Sequence, residues 1–404
     1  MNRAFRQKLT FPKPSPLRKY WGLAPNTVFL NHGSFGACPK AVLAAQAEFI
    51  HRMEAEPVEF LWRRYEEPLD RARNALAKFI GARARDLVFV PNATTAVNAV
   101  VRSLDLRPGD ELLTTSHDYN ACRNVLVEAA TRARGKMVVT SVPFPVREPN
   151  EIVEAIMNAV TRKTRLAMID HVTSHTALIF PIERIIRELE ARGVDTLVDG
   201  AHAPGMIPLD VTRLRPAYYT GNLHKWVCAP KGAAFLWVRA DKQDGLQPAV
   251  ISHGNNQLRP GYTRFQDRFD WAGTTDPSAR FSVPDAIGWM AKLLPSGWRE
   301  VRQRNHELAV KARRILCDRL GTEPVCPENM LGSMATVRLP ERFQERPLKG
   351  RFEEEQVMLY TKFGIEVPFL RIGTPTGRYV RVSAQLYNTP EEYDYLAEAL
   401  ARIR

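Results

Sequence analysis

Short, almost wholly apolar segments alternate with longer amphipathic ones from residue 26 onward, and this alternation constrains the fold most strongly. The predicted strands are 27–30, 87–90, 111–115, 136–142, 165–170, 195–200 and 233–239. The predicted helices are 40–56, 66–80, 94–104, 120–134, 150–160 and 182–192. Strands without a polar face must be covered on both sides, which predicts a three-layer α/β domain with a mostly parallel sheet. Ligands bind at the carboxyl ends of such strands, so the residues that follow each strand are the candidates for function.

The pattern changes after about residue 280. The remaining segments are a helix-rich stretch 283–319, the short strands "MATVRLP", "IEVPFL" and "YVRVSA", and a last helix 390–403. We therefore expect a large domain over 26–280 and a smaller α+β domain over 281–404. The basic, proline-rich segment 1–25 is expected to form an arm that packs with the small domain.

The chain carries a formal net charge of +13. Its basic residues are mixed with acidic ones, as in "RIIRELEARG", so an anionic cofactor or substrate explains the charge more economically than nucleic acid does. No run of about eighteen apolar residues predicts a membrane helix. Five scattered cysteines without a C-x-x-C pair indicate reduced thiols in the cytoplasm and no structural metal.

A candidate anion site follows the predicted strand 87–90. The sequence "VPNATTAV" passes directly into a helix, so Thr94, Thr95 and Ala96 present backbone N–H groups at a helix N-terminus. Such a terminus binds phosphate through these donors and the helix dipole. Simple N-capping by Asn92 or Thr94 is the alternative.

Two other strand ends carry side chains of chemical interest. In "LLTTSHDYNA", His117 and Tyr119 either offer an aromatic face to a flat ligand or are ordinary loop residues. In "LVDGAHAPG", Asp199 closes an apolar strand, where a carboxylate is costly without a cationic or hydrogen-bonded partner. His202 lies three residues further on, but no H-x-x-x-H or carboxylate cluster supports a metal site.

The segment "YYTGNLHKWVCAPKGAAFLW" contains two lysines, Lys225 and Lys231. A phosphate-binding helix end, a buried acid and a lysine in an apolar loop are the parts that pyridoxal 5'-phosphate (PLP) requires. Burial suits the lysine because it lowers the pKa and frees an amine. Its position after Asp199 selects Lys225, and Lys231 is expected to be a solvated or interface charge.

Several motifs in chain order carry a family resemblance. They are "NHGSFG", "NATTAVNAVVRSL", "DHVTSHTALIFP", "VDGAHAPG", "TGNLHKWVCAPKGAAFLW" and "RVSAQLYNTPEEYDYL". From about residue 20 to the C-terminus the chain resembles the class V aminotransferase superfamily of fold-type I PLP enzymes. Within it, the wording of the motifs is most similar to the isopenicillin N epimerase-like branch.

The resemblance implies roles for the residues already singled out. Lys225 would form the Schiff base with PLP, and Asp199 would be the partner of its pyridine nitrogen. His202 would lie near the phenolic oxygen. His117 would stack on the ring, with Tyr119 as the competing candidate. The implied phosphate ligands are Thr94, Thr95, Asn222 and His224.

The resemblance also implies a homodimer with its active sites at the interface. Thr274, in "WAGTTD", would reach the phosphate of the neighbouring subunit. Arg381, in "YVRVSAQLYN", would bind the substrate α-carboxylate through its guanidinium fork. Asn31 and His32 would line the substrate side, a glycine turn being the alternative. His175 stands where the branch would have proline, and is either a titratable group near the cofactor or a loop residue.

The implied function is that of a PLP-dependent enzyme acting at the α-carbon of an amino acid or an amino-acid conjugate. Return of the α-proton to the opposite face would give epimerisation, loss of a β-substituent C–S cleavage, and transfer to the cofactor transamination. The epimerase ranks first because its motifs match most closely. The stretch "FLRIGTPTGRYVR" has no cysteine, which disfavours persulfide chemistry. The intact set of site residues argues against an inactive scaffold.

Overall fold

The computed structural model of the chain describes residues 9–345, 348, 350, 353–373 and 376–403. The strands are β1 (Val28–Phe29), β2 (Leu87–Val90), β3 (Glu111–Thr115), β4 (Lys136–Thr140), β5 (Thr164–Asp170), β6 (Asp195–Asp199), β7 (Tyr218–Asn222), β8 (Ala234–Val238), β9 (Met334–Arg338), β10 (Ile365–Glu366), β11 (Phe369–Ile372) and β12 (Gly377–Ser383). The helices are α1 (His32–Phe35), α2 (Lys40–Ala55), α3 (Glu66–Ile80), α4 (Ala93–Arg102), α5 (Asn120–Arg132), α6 (Pro149–Ala159), α7 (Ile182–Glu190), α8 (Val211–Leu214), α9 (Arg264–Asp270), α10 (Ser278–Phe281), α11 (Val283–Lys292), α12 (Trp298–Leu320), α13 (Glu341–Gln344), α14 (Glu354–Phe363) and α15 (Pro390–Arg402). None of these described helices is long and apolar enough to cross a bilayer.

The main sheet has seven strands in the order β2-β8-β7-β6-β5-β3-β4. Every neighbouring pair from β7 to β4 is parallel, whereas β8 is antiparallel to both of its neighbours. Within this sheet only β8 therefore runs against the other strands. The predicted mostly parallel α/β fold is confirmed.

Helices cover both faces of the main sheet, which explains why its strands lack a polar face. In β5, Leu166 and Met168 pack into one hydrophobic cluster, whereas Ala167 and Ile169 pack into the other. Because successive side chains of a strand point to opposite faces of the sheet, one strand contributes to both hydrophobic clusters. A polar residue inside such a strand would be buried on either face, so polar side chains are found mainly at the strand ends.

A smaller antiparallel sheet has the order β11-β12-β9 and packs on α12, which in turn packs on α15. A separate parallel pair joins β1 to β10, with Val28 opposite Ile365. β1 falls within the range predicted for the large domain, yet its partner lies in the C-terminal segment. The domain boundaries stay a prediction, and residues 1–8 of the predicted arm lie outside the described residues.

One strand of the main sheet, β7, was not predicted from the sequence. Its sequence "YYTGN" contains a glycine and polar residues, and does not have the apolar run of its neighbours. Gly221 is needed there because a Cβ at this position would lie 2.7 Å from the Phe235 ring and from Pro204. β7 brings Asn222 to the edge of the sheet and Lys225 to a position just beyond it.

We expect Gly221→Val to lower the free energy of unfolding by about 1–3 kcal/mol, because the new side chain overpacks the contact with Phe235 and Pro204. Urea titration followed by circular dichroism measures this change. Gly245→Ala is the matched control, since nothing lies within 4 Å of its added Cβ. Equal stability of the Gly221→Val and control variants would contradict the packing described.

Candidate active site

Three adjacent parallel strands end in polar residues at the same edge of the main sheet. β5 ends at Asp170, β6 at Asp199 and β7 at Asn222. A cavity of about 410 Å³ opens at this edge. Its wall includes Ser34, Phe35, Asn92, Thr94, Tyr119, Asp170, Ser174, Asp199, His202, Asn222, His224, Lys225 and Lys231.

Lys225 is buried in this cavity, with 9% of its surface exposed. Its Nζ lies 2.9 Å from Nε2 of His202. Burial lowers the pKa of Lys225 to about 7, and the positive charge of Arg381 lowers it further, while Asp199 opposes the shift. A substantial fraction of the amine is therefore neutral and nucleophilic near neutral pH.

His202 is held in one tautomer by its neighbours. The Trp226 indole Nε1–H donates to Nδ1 of His202 at 3.4 Å, so a neutral ring carries its proton on Nε2. Burial holds the pKa of His202 well below its usual value, and the charge of Lys225 lowers it further. The imidazole therefore donates from Nε2 to the lone pair of the Lys225 amine, which requires that amine to be neutral.

Asp199 is buried at the end of β6 and accepts two hydrogen bonds. Its Oδ1 accepts from the Ala201 backbone N–H at 2.9 Å, and its Oδ2 accepts from the Cys122 thiol at 3.5 Å. Burial raises the pKa of Asp199, although the Ala201 hydrogen bond and the charge of Lys225 oppose this rise. A cationic ring nitrogen facing this carboxylate would restore the charge that desolvation disfavours.

At the opposite end of the cavity wall lies the N-terminus of α4. Asn92 caps the helix, because its Oδ1 accepts from the Thr95 N–H at 2.9 Å, and its carbonyl accepts from Ala96. The Ala93 N–H donates to Oδ1 of Asn222 at 2.9 Å. Of Thr94, Thr95 and Ala96, only Thr94 lines the cavity. Neither its backbone N–H nor its hydroxyl forms a hydrogen bond with the described residues.

Asn222 and His224 complete this end of the cavity. The Ala93 contact occupies the Asn222 amide oxygen and leaves its NH₂ group available. His224 donates from Nδ1 to the Ala233 carbonyl at 3.3 Å. Burial lowers the pKa of His224 to about 4, with a further contribution from the charge of Lys225. A bound dianion would raise this pKa, because it favours the protonated ring.

Arg381 lies behind the cavity wall, with its guanidinium directed at residues that line it. It donates to the Ser174 carbonyl at 2.5 Å, to Ser34 Oγ at 3.0 Å and to Asn31 Oδ1 at 3.1 Å. Its Nε–H has no partner among the described residues. Burial lowers the pKa of Arg381 to about 10. Asn31 also donates to Glu366 at 3.0 Å, so it orients the arginine and does not itself line the cavity.

His32 likewise lies behind the wall, although the sequence suggested that it lines the substrate side. Its Nε2–H donates to the Lys225 carbonyl at 2.9 Å, and its Nδ1 accepts from the Tyr387 hydroxyl at 2.8 Å. Ser34 and Phe35 of the same helix face the cavity. The motif "NHGSFG" thus contributes two wall residues and one residue that fixes the backbone of the lysine.

Tyr119, and not His117, lines the cavity. His117 donates to the Val142 carbonyl at 3.3 Å and accepts from the Thr176 hydroxyl at 2.9 Å. Its ring packs on Phe144 and Phe180, and burial lowers its pKa to about 4. Tyr119 is therefore better placed to contact a flat ligand, and the identity of the stacking residue stays a prediction.

His175 and Thr274 are absent from the cavity wall. Burial lowers the pKa of His175, and the charge of Arg381 lowers it further, so the ring lies in the electrostatic range of the site. Thr274 is exposed at the surface of the chain. A role in phosphate binding would require it to reach a second subunit.

Two charged residues of the wall were not predicted. Lys231, expected from the sequence to be a solvated or interface charge, is exposed and also lines the cavity, where its Nζ donates to the Gly36 carbonyl at 3.0 Å. Asp170 ends β5 as Asp199 ends β6, and this shared pattern was a signal that could have identified it. Lys231 therefore adds a cationic side chain to the wall, and Asp170 adds a second carboxyl group next to Asp199.

The side chains of the cavity fit PLP. A neutral lysine amine suits its aldehyde, the buried Asp199 carboxylate suits its pyridine nitrogen, and the free Thr94 donors at the α4 N-terminus suit its phosphate. These three groups lie in one cavity of suitable size. No side chain present in that cavity contradicts this fit.

Comparisons with known proteins agree with this geometry. The family model for aminotransferase class-V matches residues 28–396. An isopenicillin N epimerase of Amycolatopsis lactamdurans is 36% identical over 96% of this chain and 97% of its own, and that of Streptomyces clavuligerus is 34% identical over 94% and 95%. A probable chloroplastic L-cysteine desulfhydrase of Arabidopsis thaliana is 31% identical over 93% and 82%.

The fold is also similar to that of solved PLP-containing structures. A C-DES mutant with glycine covalently linked to the PLP cofactor superposes with a TM-score of 0.81, at 20% identity, over 96% of this chain and 99% of its own. The match covers both the main sheet and the smaller C-terminal sheet. The aminotransferase class-V family, whose model matches this chain, is PLP-dependent, so the predicted PLP cofactor is confirmed.

We expect Lys225 of the cofactor-free protein to react with an amine-directed reagent at a rate that is half-maximal near pH 7. Only the neutral amine reacts, and burial lowers its pKa to about 7. Labelled peptides quantified by mass spectrometry give the rate at each pH, with Lys225→Ala identifying the peptide. Half-maximal labelling only above about pH 9, as for an ordinary lysine, would contradict the neutral amine.

Proposed function

The chain belongs to the class V aminotransferase family, and on that basis we propose that it is an isopenicillin N epimerase-like PLP enzyme. It removes the α-proton of an amino acid or amino-acid conjugate and returns a proton on the opposite face. One observation carries the proposal: the neutral amine of Lys225 lies 2.9 Å from His202, in the same cavity as Asp199 and the α4 N-terminus. The similarity to two isopenicillin N epimerases over nearly their full length supports the choice of reaction.

Lys225 is the proposed base. When bound, PLP supplies an aldehyde for the amine and a ring that withdraws electrons from the α-carbon. The Nζ atom of Lys225 accepts the α-proton, and its lowered pKa keeps it unprotonated for that step. In the resting site that lone pair accepts from His202 Nε2–H, so this hydrogen bond has to break before Nζ takes up the proton. Asp199 holds the ring-nitrogen proton in place.

Arg381 is the proposed partner of the substrate carboxylate. Its buried guanidinium has a free Nε–H and contacts two serines of the cavity wall, Ser34 and Ser174. A carboxylate entering the cavity could replace the Ser34 contact and pair with the fork. Asn31 keeps the guanidinium oriented during this exchange, because its contact comes from behind the wall.

Epimerisation needs a proton donor on the face opposite Lys225. Lys225 follows β7 and Tyr119 follows β3, and these strands lie on opposite sides of the β6–β5 pair that ends in Asp199 and Asp170. The Tyr119 hydroxyl is therefore the proposed second acid. Epimerisation needs such a second acid, whereas reactions that use one face only do not.

The alternative function is C–S β-elimination from a cysteine conjugate. It is supported by the relatives named L-cysteine desulfhydrase, which are 29–31% identical to this chain over 93% of its length. The same base would begin this reaction, and the leaving group at the β-carbon would then depart. The two functions therefore differ in substrate and in the fate of the proton, not in the lysine.

A homodimer is the proposed assembly. Two segments that meet at a groove between Trp62 and His253 carry exposed apolar side chains, which we call the apolar patch, namely Val58, Trp62, Val250, Ile251 and Leu258. Trp62 is 68% exposed and lines one groove together with His253 and Trp271. Exposed apolar patches of this kind mark interaction surfaces. Thr274 lies three residues beyond Trp271, so a partner seated on this patch would approach the segment that carries it.

The proposed location is the cytoplasm. All five cysteines are free and buried, and none forms a disulfide. Reduced thiols of this kind are typical of proteins in a reducing compartment. The substrate is accordingly proposed to be a small metabolite rather than a macromolecule.

We expect the enzyme to exchange the substrate α-proton in deuterated buffer and to invert its chirality. A panel of L-amino acids and S-conjugates, followed by NMR and chiral chromatography, measures both. Lys225→Ala should abolish exchange, whereas Tyr119→Phe should slow inversion at least about tenfold more than exchange. The surface variant Lys78→Ala is the control. Pyruvate release would identify a lyase, and keto-acid formation would identify a transaminase. If none of the tested substrates exchanged its α-proton, the mechanism would be contradicted.

We expect Trp62→Asp to weaken dimerisation at least about tenfold, because a charge at the centre of an apolar interface loses its packing and is desolvated. Sedimentation equilibrium measures the dissociation constant, and absorbance of the recovered protein measures retained PLP. Val127→Asp is the matched control, an exposed valine on α5 outside the apolar patch. A wild-type monomer, or equal effects of both variants, would contradict the proposed interface.

A further inference from the structure

Asp170 is a second carboxyl group in the cavity wall, next to Asp199, the proposed partner of the ring nitrogen. It is the Cα partner of Asp199 across the parallel pair β5–β6. Neighbouring strands lie about 4.8 Å apart, and side chains in register point to the same face of the sheet. Both residues line the cavity, and each has 3% of its surface exposed. Two acids are thus buried side by side.

The two acids have different surroundings. Asp199 accepts from the Ala201 N–H and the Cys122 thiol, which favour its ionised form. Oδ2 of Asp170 has no partner among the described residues. An unpaired carboxylate oxygen that is buried beside another carboxylate is costly, because it has lost water without gaining a donor. The arrangement therefore favours a proton on Asp170.

The other groups that face the pair lead to the same assignment. Asp118, which follows β3, carries a negative charge toward Asp170, although Arg123 of α5 hydrogen-bonds it. Lys225, which follows β7, would supply an opposing positive charge only in its protonated form. Burial, followed by the charges of Asp199 and Asp118, raises the pKa of Asp170 well above its usual range. Two buried neighbouring carboxyl groups cannot both ionise at low cost.

We propose that Asp170 and Asp199 hold one proton between them and act together as the counter-ion of the ring nitrogen. Asp199 carries the negative charge while Asp170 remains a neutral acid, and Asp170 ionises to replace that charge when Asp199 is neutralised. One net negative charge then faces one protonated ring nitrogen. The proposal depends on PLP occupying this cavity and does not depend on which reaction follows.

Infrared difference spectroscopy of the holoenzyme tests the proton on Asp170. The wild type should show the C=O band of a protonated carboxyl group at neutral pH, and Asp170→Asn should remove it. Asp199→Asn should remove it too, because Asp170 then ionises. Asp210→Asn, at an exposed carboxylate that caps α8, is the control and should leave the band unchanged. A band that persists in Asp170→Asn would overturn the proposal.

A double-mutant cycle tests the replacement of charge. PLP affinity and the pH titration of its visible absorbance are measured for Asp170→Asn, Asp199→Asn and the double variant. Asp170→Asn should bind PLP much as the wild type does, since the amide resembles the neutral acid. The double variant should bind at least about tenfold more weakly than Asp199→Asn and lose ring protonation at lower pH.

Equal affinity and equal titration of Asp199→Asn and the double variant would show that Asp199 acts alone. Circular dichroism verifies folding, and the infrared result on Asp170→Asn decides the question if the double variant does not fold. Failure of the proposed epimerisation would be distinguishable, because it would leave the PLP titration and the infrared band intact.

Discussion

The site depends on the desolvation of one amine. Burial of Lys225, together with the nearby charge of Arg381, lowers its pKa from 10.5 to about 7, which corresponds to about 5 kcal/mol against the charged form. A buried ammonium would need a matched anion, and the nearest acids only partly oppose the shift. The neutral amine instead accepts from His202, whose tautomer is set by Trp226. The other residues of the cavity therefore allow Lys225 Nζ to stay uncharged until it accepts a proton from the substrate.

The residues that line the cavity are held in place by residues behind them. Many of these supporting residues come from the segments before the main sheet and after β9. His32 joins the Lys225 carbonyl to the Tyr387 hydroxyl, so a residue before the main sheet and a residue after the small sheet hold the same backbone group. Asn31 joins Arg381 to Glu366 in the same way. A family motif can therefore be essential to the geometry without touching the ligand. Such residues belong to the support of the site, as second-layer contacts around metals and cofactors do elsewhere.

Sequence patterns predicted the strands of the main sheet wherever the apolar run is nearly unbroken, including the partly exposed β4. β7 was missed since Gly221 and Asn222 interrupt that run, although close packing on Phe235 explains the glycine.

Among site residues, Lys225 and Asp199 could be identified from strand ends and chain order. Capping by Asn92 was named as an alternative because it is a local contact, whereas the position of His117 behind the wall depends on bonds to the distant residues Thr176 and Val142 and could not be predicted. Asp170 was overlooked although it obeys the same strand-end rule. The position of Thr274 relative to a phosphate involves a second subunit, which one chain's sequence pattern does not describe.

The pairing of β1 with β10 has a consequence for how the protein folds during its synthesis. Val28 meets Ile365, so β1 must wait for a partner that is made more than three hundred residues later. Because His32 and Asn31 follow β1 directly, the supports of the lysine backbone and of the arginine become fixed only after β10 has been made. Contacts of such long sequence separation form late and slowly. On the ribosome the main sheet can therefore assemble first, at a stage when the nascent chain does not yet hold Lys225 and Arg381 in their final positions.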